Sequence, residues 1–249
     1  GLMYSYMRMR KHWLLTTPSS PHRPSLWLSY RRIALPLTMN AVLWAMGTMA
    51  YQMIFGHMGT TELAVFSMLA PFESLCYSIF FGISVACSVL LGHSLGRDEF
   101  DDAMSMGLTF IKAVVGFGAV VGLLLFMGKE HVLTWLNLST DALYPLASPA
   151  MTIMCFAVVI RMLNMVIING IIRAGGDNAF CLRMDFIAMW MVGIPVCVYC
   201  AFIAGWDFKY IYGLMLVEEV VKLAICSHRY LSRRWINNLT VTYEEPQAA

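Results

Sequence analysis

The residues Ser148–Asp177, SPAMTIMCFAVVIRMLNMVIINGIIRAGGD, decide how this chain must be read. The 25 residues from Pro149 to Arg173 would form a helix about 37 Å long at ~1.5 Å per residue, more than the ~30 Å hydrocarbon core of a bilayer. Inside it stand Arg161, Asn164 and Asn169. An arginine held against lipid near mid-depth is costly, so these polar groups are expected to face protein or a wet cavity. A wet cavity among membrane helices points to the movement of solutes.

The rest of the composition agrees: of 249 residues, 59% are hydrophobic and only 13% charged, with 20 Met and a mean hydropathy of +0.66. A soluble domain would not carry that balance. The expected fold is an all-α polytopic membrane protein with six transmembrane helices forming one bundle. The spans are drawn as Ala34–Phe55, Ala64–Leu95, Ala103–Met127, Pro149–Arg173, Met184–Ala204 and Tyr210–Cys226. Residues 1–33 read as the end of a preceding helix and a linker on the inner side, 34–226 as the bundle, and 227–249 as a loose tail. Gly1–Met9 is apolar and meets Arg8, Arg10 and Lys11, whereas Thr16–Pro24 is rich in proline and serine and cannot build a core.

Lysine and arginine set the expected orientation. With both ends inside, 12 of the 17 fall in inner segments, only Lys129 and Lys209 fall outside, and Lys112, Arg161 and Lys222 lie within spans. That bias predicts both termini in the cytoplasm, and the expected location is the cell's inner (plasma) membrane. Nothing in the basic residues calls for nucleic acid, and the expected surroundings are the lipid bilayer.

Polar residues within the spans are the candidate site. Asn40, Trp44, Thr48, Tyr51 and Gln52 recur at helical spacing, so the first span carries a polar and aromatic stripe suited to lining a cavity or to packing between helices. Pro36 would sit harmlessly in that span's first turn. Pro71 in the second span should bend the helix close to Glu73, and an acid at membrane depth is a functional candidate in itself. By depth, Glu73 can meet Arg161 or Lys112. Glu218 and Lys222, four apart in the favourable order, are expected to pair along the sixth span. Trp135, in a short apolar stretch of the outer loop, reads as an interfacial anchor.

Other motifs carry less. Gly92-His93-Ser94-Leu95-Gly96 has the spacing of a hydrolase nucleophile elbow, but it ends a long helix rather than joining a strand to a helix. An enzyme would at minimum need Ser94. The seven cysteines fall almost wholly within spans and read as small apolar side chains. No metal-ligand spacing or phosphate-cradling loop appears, so no cofactor is expected.

Leu35-Pro36 opening a span, Gly59-Thr60 followed by Leu63-Ala64, the run Leu91–Gly96, and the exit Gly170-Ile171-Ile172-Arg173-Ala174-Gly175-Gly176-Asp177 together resemble the multidrug and toxic compound extrusion (MATE) family, over about Ala34–Tyr230. Trp190 and Pro195 fit as well. The resemblance implies one lobe, the carboxy-terminal one, of a twelve-helix transporter that exchanges organic, often cationic, compounds for protons or sodium by alternating access. It implies as partner a missing amino-terminal six-helix half or a second copy of the chain. Some sodium-coupled members carry acids at positions matching Trp44 and Met162 here. This chain departs from them, which favours a proton over sodium as the coupling ion. On this reading Asn40, Trp44, Tyr51, Gln52, Glu73, Arg161 and Asn164 would contact small organic substrates, and no residue is catalytic. The competing reading is an autonomous six-helix dimer, acting as a channel or as an assembly subunit without transport.

Overall fold

The computed structural model describes residues 24–139 and 142–237, all helical apart from short connections. Seven helices form among them: α1 Pro24–Met58, α2 Thr60–Gly96, α3 Phe100–Met127, α4 Lys129–Trp135, α5 Tyr144–Ile172, α6 Asn178–Ile203 and α7 Phe208–Leu231. The chain divides into two compact units, Gly1–Leu35 and Pro36–Ala249, and the bundle is the second. The expectations for residues 1–23 and 238–249 lie outside the described residues.

This is an all-α polytopic membrane protein. Four helices, α2, α3, α5 and α6, are long and apolar enough to cross a membrane. The first and sixth expected spans are helical as drawn, but α1 is diluted by Asn40 and Gln52, and α7 gathers Glu218, Glu219 and Lys222 within two turns. Such helices hold their place by packing, because Asn40 on α1 and Glu218 and Lys222 on α7 turn toward protein. α5 is the central rod. Over its most apolar stretch 56% of the residues are buried, against 17% for α3, and it packs on α2, α3 and α7.

Two expectations about proline are corrected. Pro36 lies in the interior of α1, and Pro24 stands at its start. α5 begins at Tyr144, so Pro145 occupies the first turn, where its missing N–H costs nothing, and Pro149 is internal. The helix α2 continues without interruption through Pro71. The irregular backbone lies elsewhere, in wide π-type turns at Val166–Ile172, Phe186–Gly193 and Tyr199–Ile203. The second of these directly precedes Pro195, whose ring would collide with the carbonyl four residues back in a regular helix. Widening that turn relieves the collision.

The side chains sort into two apolar cores and a polar layer. One apolar core collects Phe55, Phe66, Met151, Phe208 and Tyr212, and a second collects Phe80, Leu91, Val166, Met184 and Tyr230. On α2 and α7 polar residues fall between these two cores, Glu73 on the one and Glu218, Glu219 and Lys222 on the other, while on α5 Arg161 and Asn164 interleave with Val158, Met162 and Val166 of the second core. A polar layer thus lies where the two greasy cores meet. Close backbone approach helps to shut the bundle, since a Cβ at Gly122 of α3 would lie 2.7 Å from the Cys155 carbonyl of α5.

Past Cys226 the expected tail is ordered at first. α7 runs to Leu231, and Trp235 is fully buried, stacked on Tyr230 with ring centroids 5.9 Å apart. In α4 Trp135 is exposed while Leu133 is buried. All seven cysteines are free and buried.

Candidate functional site

The polar layer starts from Lys222, which is 95% buried. A lone buried ammonium is very costly, and α7 supplies its first partner one turn earlier: Glu218 Oε1 lies 2.5 Å from Nζ. This is the pair the sequence spacing predicted. Tertiary packing adds Asp185 Oδ1 of α6 at 3.7 Å and Glu219 Oε1 at 3.9 Å. Three carboxylates therefore surround one cation.

Each carboxylate is held by a neutral donor from another helix. The Tyr51 hydroxyl of α1 donates to Glu218 Oε2 at 2.5 Å. Asn40 Nδ2, also of α1, donates to Asp185 Oδ2 at 2.7 Å, while its Oδ1 accepts from Arg173 at 2.8 Å. Asn164 Nδ2 of α5 donates to Glu219 Oε2 at 2.8 Å. Charge-assisted bonds of this kind are stronger than neutral ones and fix both partners. Beside them Glu73 and Arg161 form an ion pair between α2 and α5.

Two cavities adjoin this layer. The first, about 170 Å³, is lined among others by Trp44, Tyr51, Gln52, Glu73, Arg161 and Glu218. The second, about 560 Å³, is lined by Asn40, Trp44, Arg161, Asn164, Arg173 and Asp185. Its size falls in the ~300–1,000 Å³ range of small-molecule sites. Trp44, Arg161, Glu219 and Lys222 border both.

All seven residues singled out in the sequence thus border these cavities, in unequal ways. Trp44 and Gln52 are exposed, whereas Asn40, Tyr51 and Asn164 are buried, and the Asn40 amide, the Tyr51 hydroxyl and Asn164 Nδ2 bond to neighbouring side chains. Of the two depth-matched partners for Glu73 the structure selects Arg161. Lys112 is exposed on α3 and has no ion pair among the described residues. The sequence reading passed over Asp185, Glu219, Arg173 and Tyr77. Asp185 carried a usable signal, an acid inside the fifth span as drawn. Arg173 and Tyr77 carried none, since an inner-end arginine and a helical tyrosine are ordinary in membrane proteins.

What such a layer can do is bind charge reversibly. Buried acids bordering a cavity can take up protons or a positively charged guest, and the exposed Trp44 ring can stack on a flat or cationic one. No group of three or more metal-ligating side chains forms among the described residues. Ser94 is buried at the end of α2, with no strand before it.

The chain was compared with known proteins on this footing. It is 24% identical over 200 residues to a probable multidrug resistance protein NorM of Bacillus cereus, covering 78% of this chain and 43% of that protein. It is 24% identical over 191 residues to a probable NorM of Brucella suis, with 76% and 40% covered. It is 25% identical over 157 residues to an uncharacterized transporter, YisQ, of Bacillus subtilis, with 62% and 33% covered. The chain thus spans less than half the length of these relatives. The MatE family profile matches residues 36–199, a stretch that contains α2 to α5 and most of the polar layer, and the chain belongs to the MatE family.

Proposed function

We propose that this chain forms one six-helix lobe of a secondary efflux transporter in the inner (plasma) membrane, with both ends in the cytoplasm and no enzymatic activity. The lobe exchanges organic, cationic or aromatic, compounds for a cation by alternating access, and the exchanged ion is a proton rather than sodium. A second six-helix half, on the same polypeptide or on another copy, completes the pathway, and the two halves rock about a site near the bilayer midplane. The observation that carries this reading is the polar layer bordered by Trp44, Glu73, Arg161 and Glu219 where two apolar cores meet. A purely structural bundle would gain nothing from burying so many charges. The Lys222 ammonium stands among the carboxylates where a metal ion would otherwise gather them, which favours a proton.

The complete gene product, reconstituted in vesicles, tests it. An aromatic organic cation should move against an imposed proton gradient and ignore a sodium gradient. Movement independent of every imposed gradient overturns antiport, and sodium-driven movement overturns the choice of ion.

A further inference from the structure

Asn164 uses only half of its side-chain amide. Its Nδ2 donates to Glu219 Oε2 and to the Glu219 carbonyl, both at 2.8 Å. Its Oδ1 is buried and accepts nothing among the described residues. An orphaned acceptor inside a bundle is costly, so its persistence needs a reason. A proton on the neighbouring carboxyl supplies one. A carboxylic acid can donate O–H to an amide oxygen while its other oxygen accepts the amide N–H, a cyclic pair that leaves no buried group unmet. The terminal torsions of both side chains are soft enough to align it.

The charge balance points the same way. The two cavities are lined by four carboxylates, Glu73, Asp185, Glu218 and Glu219, and by three cations, Arg161, Arg173 and Lys222. One negative charge is left over in a layer where uncompensated charge is expensive. Glu73 is matched by Arg161. Glu218 has both the closest approach of Lys222 and the Tyr51 hydroxyl. Asp185 has Lys222 at 3.7 Å and Asn40, itself pinned by Arg173. Glu219 has the longest approach to the ammonium, 3.9 Å, and its side-chain bond comes from an uncharged amide. It is also the carboxyl that borders both cavities, whereas Glu218 borders the first and Asp185 the second. The titratable and charged groups that line the two cavities with it are Tyr51 on α1, Glu73 and Tyr77 on α2, Arg161 on α5 and Arg173 just past its end, Asp185 on α6, and Tyr212, Glu218 and Lys222 on α7.

We propose that Glu219 is the group on which the exchanged proton rides, with Asn164 as its acid–amide partner. In the protonated form the layer is neutral and the amide is fully bonded. When the Glu219 O–H bond breaks, the proton passes to water in whichever cavity is open. A bare carboxylate then borders both cavities, and a cationic guest can take the charge the proton gave up. Proton and organic cation thus exclude each other at one carboxyl. The guest half of this statement rests on the antiport reading above; the location of the proton does not.

Infrared difference spectra of the purified complete gene product, recorded as pH is raised, test the location. A carboxylic-acid carbonyl band should vanish in one titration, be missing from Glu219→Gln, persist in Glu219→Asp, and shift in Asn164→Leu. Glutamine is isosteric with the protonated acid, so Glu219→Gln should fold, and the aspartate variant guards against its failure. A wild-type spectrum without such a band, or a band that survives unchanged in Glu219→Gln, overturns the proposal. The pH dependence of organic-cation affinity, expected at the ~5–150-fold of linked sites, should flatten in Glu219→Gln. Should vesicle transport ignore every gradient while the band behaves as stated, the antiport reading fails and the proton site stands.

Discussion

Tyr51 and Glu218, 167 residues apart, meet in a 2.5 Å hydrogen bond that ties α1 to α7. Glu218 holds Lys222 at the same distance, so one carboxylate joins the first helix of the bundle to the cation at its centre. Replacing Tyr51 by Phe removes the hydroxyl donor and leaves a buried charged acceptor one bond short. The expected loss is ~1–3 kcal/mol of stability, read as a lower unfolding temperature in detergent. An unchanged midpoint would show that this bond holds nothing.

Gly193 of α6 is what lets the pair form. A Cβ at that position would press on the Tyr51 hydroxyl and lie 2.8 Å from Glu218 Oε2. Gly193→Ala should therefore weaken the same bond from a third helix, and its cost should be largely absorbed in a Tyr51→Phe background. Full additivity of the two substitutions, measured by thermal unfolding, would contradict this arrangement.

Lys222 serves three carboxylates, so its removal should hurt more than the loss of any one of them. Lys222→Met leaves Asp185, Glu218 and Glu219 without their shared cation. Breaking a buried pair from one side costs ~3–5 kcal/mol. Glu219→Gln, which mimics a protonated acid, should cost far less. The order of the two unfolding midpoints is the test, and its reversal would sink the account of Lys222 as the hub.

The Glu73 and Arg161 pair joins α2 to α5 with Glu73 four-fifths buried and Arg161 more so. Removing either partner alone should destabilise, and removing both together should recover part of the loss. A double-mutant cycle with Glu73→Gln and Arg161→Met should give a coupling of ~0.5–3 kcal/mol. A coupling of zero would mean that the two charges stand independently.

Trp44 is half exposed at the border of both cavities. Since half of it is exposed, Trp44→Ala should cost little stability. Affinity for an aromatic organic cation should fall by the ~0.5–2 kcal/mol of a cation–π contact, measured by equilibrium binding. A large drop in unfolding temperature instead would make Trp44 a packing residue.

Much of the architecture was legible from local pattern. Length and apolarity placed α2, α3, α5 and α6, because a helix in lipid satisfies its own backbone and needs no partner to exist. The i, i+4 spacing gave Glu218 to Lys222 for the same reason: helix geometry alone puts them side by side. Depth along the helix narrowed Glu73 to two cations, and because α3 and α5 both pack on α2, the choice turned on which side chain faces inward: Arg161 does, and Lys112 is exposed. Pro71 was expected to bend its helix; α2 runs on through it as one helix, and the irregular turns gather in α5 and α6, before Pro195 and at the exit toward Arg173.

The sequence by itself determined that this protein lives in a membrane as helices with charges along their middles, since both properties follow from residues a few positions apart. Only the tertiary structure decided that Asp185, Glu218 and Glu219 share one ammonium, that Asn164 is left with an unused oxygen, and that the Tyr51 hydroxyl is bonded to a carboxylate. Those pairings depend on the rotation and neighbours of each helix, which are set by contacts across as many as 167 residues, and no local periodicity encodes them.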